Sequence, residues 1–276
     1  MRADVLLVER GLAPSRTAAQ RLIAAGHVFS REGGLRVVVT KPSVSVAEDV
    51  SLEVEVNELD RFVSRGGLKL DAALTHVGLN VAQLHCLDVG QSTGGFTDCL
   101  LQRGAAHVVG VDVGHDQLHD RMRADARVTC FEGVNARTLD AETFVGAALA
   151  AIPSQQTPHN VAIDRGQGRS YMASFDLIVA DVSFISLTKV LPQWPAFLAA
   201  HGRVLSLVKP QFEVGADNLA RGGIVRDTSL YLTVEKTIRE ACTQAGLKVL
   251  DYLDSAMTGT DGNHEFFVYA EAMKKL

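Results

Sequence analysis

The sequence has no hydrophobic stretch long enough to cross a bilayer. Its longest nearly apolar run covers residues 144–152, whereas a membrane-spanning helix needs about 20 apolar residues. Arg2 and Asp4 precede any apolar run at the N-terminus, so no secretory signal is evident. We therefore expect a cytoplasmic protein that acts away from membranes.

The cysteines lack the spacing of a metal site. The chain contains Cys86, Cys99, Cys130 and Cys242. No CxxC pair and no accompanying histidine pattern resembles a zinc centre. We expect buried thiols in a reducing cytosol and no bound metal.

An overall excess of positive charge is also absent. The net charge is −5, which excludes a protein whose whole surface attracts nucleic acid, so any such contact must be a local patch. With 276 residues, of which 47% are hydrophobic, the chain can hold either one large domain or a large domain and a small one.

A local basic patch lies in the first 41 residues. Seven arginines and lysines against three acidic residues leave an excess of four positive charges there. The pattern predicts two short helices, the second capped by Ser15 and closing at Gly26. Strand-like segments follow at 27–30, 35–39 and 50–56. These features predict a small α+β domain with one basic face.

This segment resembles the S-four RNA-binding domain, a module named after a ribosomal protein, over residues 2–58. The motifs that carry the resemblance are Arg2-x-Asp4-x-x-Leu7, Ser15-Arg16-x-x-Ala19-Gln20-Arg21-Leu22-Ile23, Gly26-x-Val28 and Val39-x-Lys41-Pro42. The resemblance implies RNA contacts from Arg2, Arg16, Gln20, Arg21 and Lys41. The alternative is a solvated amphipathic helix whose arginines bind nothing.

Strand and helix patterns alternate from residue 84 onward. The predicted strands cover residues 84–89, 108–111, 127–131, 175–180, 203–208, 248–253 and 264–269. The predicted helices cover residues 96–102, 187–200 and 230–245. Such alternation predicts an α/β doubly wound domain. We place the domains at 1–58 and 67–276, with a linker at 59–66 and a surface insertion at 146–173.

A glycine-rich loop lies between the first strand and the first helix of this alternation. Small residues let the backbone approach a ligand, and the helix start offers free N–H groups. Asp112 follows Gly90 by 22 residues, at the position of a ribose-binding acid. Because the loop lacks both the GxGxxG register and a Walker lysine, S-adenosylmethionine fits better than a ligand with a pyrophosphate.

The predicted cofactor-binding residues lie in or near this loop and at the ends of the following strands. They are Asp88, Gly90, Ser92, Thr93, Gly94, Gly95, Phe96, Asp112, Val113, Asn135 and Asp181. The alternatives are a tight turn for the loop, a helix cap for Asp112 and a turn position for Asn135.

Two lysines and two carboxylates form the candidate catalytic set: Lys69, Asp181, Lys209 and Glu265. A ribose hydroxyl is a poor nucleophile at neutral pH, so a site that methylates it must remove its proton. We assign Lys209 as the base and Lys69 as a nearby cation that lowers its pKa. Asp181 and Glu265 would orient the lysines and the ribose. Because adjacent carboxylates oppose that pKa shift, pure positioning with proton loss to water remains an alternative.

Residues 62–270 resemble the FtsJ-like ribose methyltransferase fold, and the whole chain resembles the TlyA family. The motifs are Phe62-Val63-Ser64-Arg65-Gly66-Gly67-x-Lys69-Leu70, Ser92-Thr93-Gly94-Gly95-Phe96-Thr97-Asp98, Asp112-Val113-Gly114, Asp181-Val182-Ser183-Phe184, Val208-Lys209-Pro210-Gln211-Phe212-Glu213, Gly222-Gly223-Ile224-Val225-Arg226 and Gly262-Asn263-x-Glu265. The resemblance implies a Rossmann-like class I methyltransferase with a mostly parallel seven-stranded sheet. Such an enzyme uses S-adenosyl-L-methionine to methylate the 2′-hydroxyl of cytidines in ribosomal RNA or ribosomal subunits. Gln91 departs from the family's small residue, which would narrow the pocket if its side chain points inward.

Several residues and alternatives stay open. Arg61 and Arg65 would grip phosphates near the target, or serve only as soluble linker residues. Phe184 either stacks on a flipped-out base or belongs to the core. Methylation of a base amine is disfavoured because residues 181–184 contain no proline. An RNA-binding protein with an inactive methyltransferase domain is a further alternative, as is a membrane-lytic protein, since some TlyA members are labelled haemolysins.

Overall fold

The computed structural model describes residues 1–13, 15–32, 34–55, 61–139 and 175–273. The chain divides into two units, Met1–Arg61 and Phe62–Leu276. The predicted insertion at 146–173 and residues 59–60 of the predicted linker lie outside the described residues. Within the described ranges, no helix is long and apolar enough to cross a membrane.

The N-terminal unit contains two helices and a three-stranded antiparallel sheet. Helices α1 and α2 span Ala3–Glu9 and Arg16–Ala24, and strands β1, β2 and β3 span Val28–Glu32, Leu35–Val38 and Ser51–Val54, in the sheet order β2-β1-β3. Ser15 caps α2 as predicted, because its hydroxyl oxygen accepts a hydrogen bond from the N–H of Ala18 at 3.2 Å. Buried Leu7, Ile23 and Val28 belong to one apolar cluster that joins helices and sheet.

The C-terminal unit is built on a seven-stranded sheet. Its strands are β4 His85–Val89, β5 His107–Val111, β6 Val128–Phe131, β7 Phe175–Ala180, β8 Leu198–Val208, β9 Leu247–Asp254 and β10 Phe266–Ala272. Its α-helices are α3 Gly66–His76, α4 Gly95–Gln102, α5 Asp120–Arg123 and α6 Leu230–Gln244. The strand order is β6-β5-β4-β7-β8-β10-β9, and β10 runs antiparallel to its neighbours β8 and β9. The predicted Rossmann-like, mostly parallel sheet is confirmed.

The predicted helix over 187–200 is wrong. Two short 3₁₀ segments, Leu187–Lys189 and Leu191–Ala196, occupy most of this stretch, and β8 begins at Leu198. Pro192 and Pro195 explain the difference, because proline lacks the backbone N–H that an α-helical ladder requires.

Helix α3 is absent from the sequence prediction, although its pattern is readable. Leu70, Ala73 and Leu74 are buried and recur at the spacing of one helix face. The helix begins with a glycine pair, Gly66 and Gly67, and glycine is a weak helix former.

The sheet of the C-terminal unit is covered on both faces. Alternate residues of the same strands enter two separate apolar clusters, as expected because successive side chains in a strand point to opposite faces. One cluster contains Trp194 and Phe197, and the other contains Leu74 and Leu100. The rigid core therefore fixes the strand ends against each other.

The carboxyl ends of the parallel strands meet at one edge of this sheet. Ligands of doubly wound folds bind at that edge. Strand β10 is antiparallel to β8 and pairs Phe266 with Val208, so its first residues reach the same edge. Residues that follow β4, β5, β7 and β8, or precede β10, are thus brought together.

Candidate active site

Four charged side chains converge at this sheet edge. Lys69 lies in α3, Asp181 and Lys209 directly follow β7 and β8, and Glu265 directly precedes β10. All four line one cavity of about 400 Å³. The two lysines and two carboxylates selected from the sequence therefore meet at one place.

The four side chains form two ion pairs. Nζ of Lys69 lies 2.5 Å from Oε2 of Glu265, and both residues are buried, with exposures of 8% and 3%. Nζ of Lys209 lies 2.6 Å from Oδ1 of Asp181 and donates a hydrogen bond to the Ser183 hydroxyl at 2.7 Å. Each ammonium thus has a carboxylate partner, which limits the cost of burying the charges.

The second pair is less complete than the first. Oδ1 of Asp181 is within ion-pair distance of Lys209, yet it receives no well-aligned hydrogen bond from any described residue. Its contact with Lys209 is therefore ionic in character, and Nζ of Lys209 directs its hydrogen bond to Ser183 instead.

Burial raises the pKa of Glu265 above its ordinary value. The hydrogen bond from Lys69 and the charges of Lys69 and Lys209 act in the opposite direction, whereas the Asp181 carboxylate adds repulsion. The charges of Lys69, Lys209 and Asp181 therefore all influence the pKa of Glu265, as expected for charges that share a partly buried cavity.

The glycine-rich loop wraps closely against the loop that follows β7. Gly90 has a φ of +82°, and a Cβ there would lie 2.7 Å from the backbone oxygen of Asp181. Both the conformation and the close approach require glycine. The loop residues Gly90, Ser92, Thr93, Gly95 and Phe96 line the same cavity as the four charged side chains.

A second cavity, of about 470 Å³, adjoins the first. Asp112, Val113 and Asn135 line it, and Gly90 and Asp181 line both cavities. Oδ2 and Oδ1 of Asp112 accept the N–H groups of Ser92 and Gly114, each at 2.7 Å. Each carboxylate oxygen retains a second lone pair, so Asp112 can hold the loop and still accept a hydroxyl.

Asn135 has a structural task as well as a place in the second cavity. Its side-chain oxygen accepts the N–H of Arg137 at 3.0 Å and caps the 3₁₀ turn Ala136–Thr138. Asn135 therefore occupies the turn position that was one alternative, and it also lines the second cavity.

Two predicted cofactor contacts, Asp88 and Gly94, do not lie among the residues that line these cavities. Asp88 is fully buried under the loop, where its Oδ2 accepts the Thr97 hydroxyl at 2.7 Å. Gly94 has a φ of +94°, and a Cβ there would lie 2.8 Å from Leu118. Both residues shape the loop from behind instead of facing a ligand.

The amide of Gln91 is bonded in the interior, beneath the loop. Its side-chain nitrogen donates to the Thr97 hydroxyl at 2.9 Å, and its amide fills the position that a Cβ on Gly110 would need. The residue is 3% exposed. Most of the Gln91 side chain is therefore packed in the interior, although the residue also lines the 400 Å³ cavity.

The predicted RNA contacts of the N-terminal unit are organised by Asp4, which sequence reasoning did not select. The fully buried carboxylate of Asp4 accepts from both Nε and Nη2 of Arg2, at 2.9 and 3.0 Å. It also accepts from Arg16 and from Gln20, each at 2.9 Å. The two arginine side chains remain 45% and 55% exposed, so the cluster leaves guanidinium edges for a ligand.

The other predicted RNA contacts are surface residues. Arg21 and Lys41 are exposed in the N-terminal unit. Arg61 and Arg65 are exposed as well, and Arg65 lines the 400 Å³ cavity with the four charged side chains.

Phe184 is not a core residue. Its side chain is 92% exposed, so the alternative that it belongs to the core is wrong.

The 400 Å³ cavity is also lined by residues that were not predicted as site residues from the sequence: Ser64, Ser183, Thr258 and Thr260. Ser183 could have been predicted, because it lies two residues after Asp181. The two threonines lie in the loop that leads into β10, and the path of that loop is set by the antiparallel pairing of β10.

Comparisons with known proteins agree along nearly the whole chain. The FtsJ-like methyltransferase model matches residues 62–272, and the S4 domain model matches residues 1–29. The chain is 39% identical to the 16S/23S rRNA (cytidine-2′-O)-methyltransferase TlyA of Mycobacterium tuberculosis, over 97% of this chain and 88% of that protein. It is 35% identical to Hemolysin A of Brachyspira hyodysenteriae, over 98% of this chain and 99% of that protein. A solved structure from Streptococcus thermophilus is 34% identical, with a TM-score of 0.67, and the match covers 100% of this chain and 89% of the other.

Proposed function

We propose that this chain, which belongs to the TlyA family of FtsJ-like methyltransferases, transfers a methyl group from S-adenosyl-L-methionine to a ribose 2′-hydroxyl of ribosomal RNA. The target nucleotide is a cytidine, and the enzyme acts in the cytoplasm on ribosomal RNA or ribosomal subunits. The observation that carries this proposal is the meeting of two lysine–carboxylate pairs beside the glycine-rich loop. Removing a hydroxyl proton needs such groups, whereas binding a base amine does not.

The two adjoining cavities fit the two halves of the cofactor. Asp112 and Asn135 would hold the ribose and the adenine in the second cavity, and Gly90 allows the chain to pass close to the ligand. The methionine half would lie in the first cavity, near Ser92 and the start of α4. When bound, S-adenosylmethionine supplies an electrophilic methyl group on a sulfonium sulfur.

Lys209 is the proposed proton acceptor. Its Nζ lies 2.6 Å from Oδ1 of Asp181 and 2.7 Å from the Ser183 hydroxyl, which orient it. After Lys209 has lost one proton to solvent, its neutral amine accepts the hydroxyl proton of the ribose and becomes an ammonium paired with Asp181. Lys69 stays paired with buried Glu265 and supplies a fixed positive charge close to the oxygen as negative charge develops on it.

The N-terminal unit supplies RNA affinity in this proposal. Arg2, Arg16 and Gln20 are held together by Asp4, and their free donors would bind phosphate oxygens. Arg21 and Lys41 on the same unit would add charge, and Arg61 and Arg65 would contact phosphates near the target. Such contacts position RNA without reading its sequence.

Phe184 is the proposed stacking surface for the target base. A ribose hydroxyl deep in an ordered helix is out of reach, so its nucleotide must leave the stack. Phe184 lies three residues after Asp181 and lines the second cavity, with a ring that is 92% exposed. Exposed aromatic rings are the usual partners of unstacked bases.

The decisive experiment supplies the purified chain with radiolabelled S-adenosylmethionine and separated ribosomal subunits, then maps the modified nucleotide by mass spectrometry. We expect a 2′-O-methylated cytidine. A label on a base nitrogen would refute the acceptor, and an unlabelled RNA together with no cofactor binding by calorimetry would favour an inactive methyltransferase domain.

A substitution then tests the base. Lys209→Ala should lower turnover at least about 100-fold, the usual contribution of a general base, with cofactor affinity unchanged by calorimetry. The matched control is Lys236→Ala, since Lys236 is 78% exposed on α6 and pairs only loosely with Glu240. Full turnover in Lys209→Ala would remove the base assignment.

A further inference from the structure

The loop that follows β7 is held in an unfavourable backbone conformation. We call residues 181–187 the Asp181 loop and residues 209–213 the Lys209 loop. Phe184, at the centre of the Asp181 loop, has a φ of +62°, which is uncommon for a bulky side chain. Such a conformation persists only where the surroundings fix it, and it concentrates at ligand sites.

The Lys209 loop contacts the Asp181 loop along its length. Lys209 pairs with Asp181 and bonds Ser183 at the start of the Asp181 loop. The rings of Phe212 and Phe184 lie 5.4 Å apart between centroids, at an angle of 47°. The ring that projects from the Asp181 loop thus has an aromatic support below it.

Glu213 fastens the far end of the Asp181 loop. Its Oε2 accepts the hydroxyl of Ser186 at 2.6 Å, and its Oε1 accepts the backbone N–H of Leu187 at 2.7 Å. Leu187 is 1% exposed, so its N–H would lose its partner without this carboxylate, which is costly for a buried donor. The strained residue therefore lies between two anchored ends.

We propose that Glu213 is a positioning residue for the target nucleotide: its carboxylate holds the Asp181 loop in the shape that projects the Phe184 ring. This inference rests on the proposed function, in which Phe184 stacks on the base. The bonded groups are a hydroxyl and a backbone N–H, so the role needs two hydrogen-bonding atoms and no charge. Burial raises the pKa of Glu213, in keeping with a residue that does not act through its charge.

The effect should depend on Phe184, and a double-mutant cycle tests this. Glu213→Ala should lower kcat with ribosomal subunits by about 10-fold to 100-fold at saturating S-adenosylmethionine, in line with the cost of a misplaced reactant. Glu213→Gln should recover to within about 3-fold of wild type, because its amide oxygen can accept the Leu187 N–H while its NH₂ donates to the Ser186 hydroxyl oxygen. In a Phe184→Ala background, Glu213→Ala should cause no further loss.

The control is Glu235→Ala, which breaks the ion pair with Arg239 on α6 and should leave kcat unchanged. Losses that add in the double variant would overturn the proposal, because Glu213 would then act on Asp181 or on the fold. Wild-type kcat in a folded Glu213→Ala would also overturn it. Should Glu213→Ala not fold, Ser186→Ala, which removes one of the two bonds, enters the same cycle.

Failure of this inference is distinct from failure of the proposed function. If the wild-type chain methylates no RNA, the proposed function falls and takes the role of Glu213 with it. If the wild-type chain is active but the cycle is additive, only the positioning role falls.

Discussion

Asp4 and Asp88 are both fully buried aspartates, one in each unit of the chain, and their surroundings shift their pKa values in opposite directions. The hydrogen bond from Arg2, with further help from Gln20 and Arg16, holds the pKa of Asp4 well below its ordinary value despite burial. Burial raises the pKa of Asp88 to about 7, because the Thr97 hydroxyl is a weak partner and the carboxylates of Asp181 and Asp112 repel it.

The opposite pKa shifts of Asp4 and Asp88 indicate that hydrogen-bonding and charged partners, more than the extent of burial, determine whether a buried carboxyl group is ionised. Asp4 has two guanidinium groups that compensate its charge, so it stays ionised and gathers basic side chains at a surface. Asp88 has one hydroxyl donor and one oxygen, Oδ1, that receives no hydrogen bond among the described residues. An acid of that kind favours its neutral form and works as a spacer under the cofactor loop.

The largest effect that would test this comparison is a pH-dependent stability from Asp88. A raised folded-state pKa stabilises the fold below the ordinary value of 3.8, and this contribution is lost as pH rises to about 7. The full span corresponds to about 4 kcal/mol. In urea titrations followed by fluorescence of the buried Trp194, wild type should lose stability relative to Asp88→Asn between pH 4 and 7.

The sign of that difference is what matters. Asp88→Asn should be the more stable protein at pH 8 and lose that advantage by about pH 4. Parallel pH curves for the two proteins would mean that Asp88 stays ionised when buried, and the contrast with Asp4 would then disappear.

Asp4 should show a smaller effect of the opposite sign. A lowered folded-state pKa stabilises above the ordinary value of 3.8 and is lost as pH falls below it. Asp4→Asn should cost about 2 kcal/mol at pH 7, typical of hydrogen bonds to charged groups. Amide hydrogen exchange in α1 and α2 measures this locally, and the gap from wild type should narrow below about pH 4. A cost that persists unchanged in acid would show that shape, and not charge, makes Asp4 important.

A comparison of Asp88 with Asp181 and Lys209 shows which site residues the sequence could predict. Asp181 and Lys209 could be placed because each ends an apolar strand, and the carboxyl ends of parallel strands meet. Asp88 resembles these two residues in sequence, because it also comes near the end of an apolar strand. It lies inside β4, one residue before the strand ends, so its side chain points into the core. A shift of one residue along a strand reverses the face, and a pattern cannot resolve that near a strand end.

Long-range geometry was the other limit. The wrong helix over 187–200 came from apolar spacing that also suits two proline-containing 3₁₀ turns. Phe184, with its positive φ, lies in a loop that Phe212 and Glu213 contact from about 30 residues along the chain, so no local pattern contains these contacts. Sequence reasoning therefore finds the chemistry of the site more readily than the groups that hold it in shape.

The smallest predicted effect on stability concerns the side chains that pack between Asp88 and the glycine-rich loop. The side chain of Gln91 fills the space above Gly110 and bonds Thr97, which in turn bonds Asp88. Gly110→Ala should therefore cost about 1 kcal/mol, at the low end of overpacking penalties, because the flexible end of Gln91 can move. In a Gln91→Ala background the same substitution should cost less than about 0.5 kcal/mol, since the space is then open. Urea titration of the four proteins measures the coupling. Equal costs in both backgrounds would show that Gln91 does not fill this space, and the support for Asp88 would then need another source.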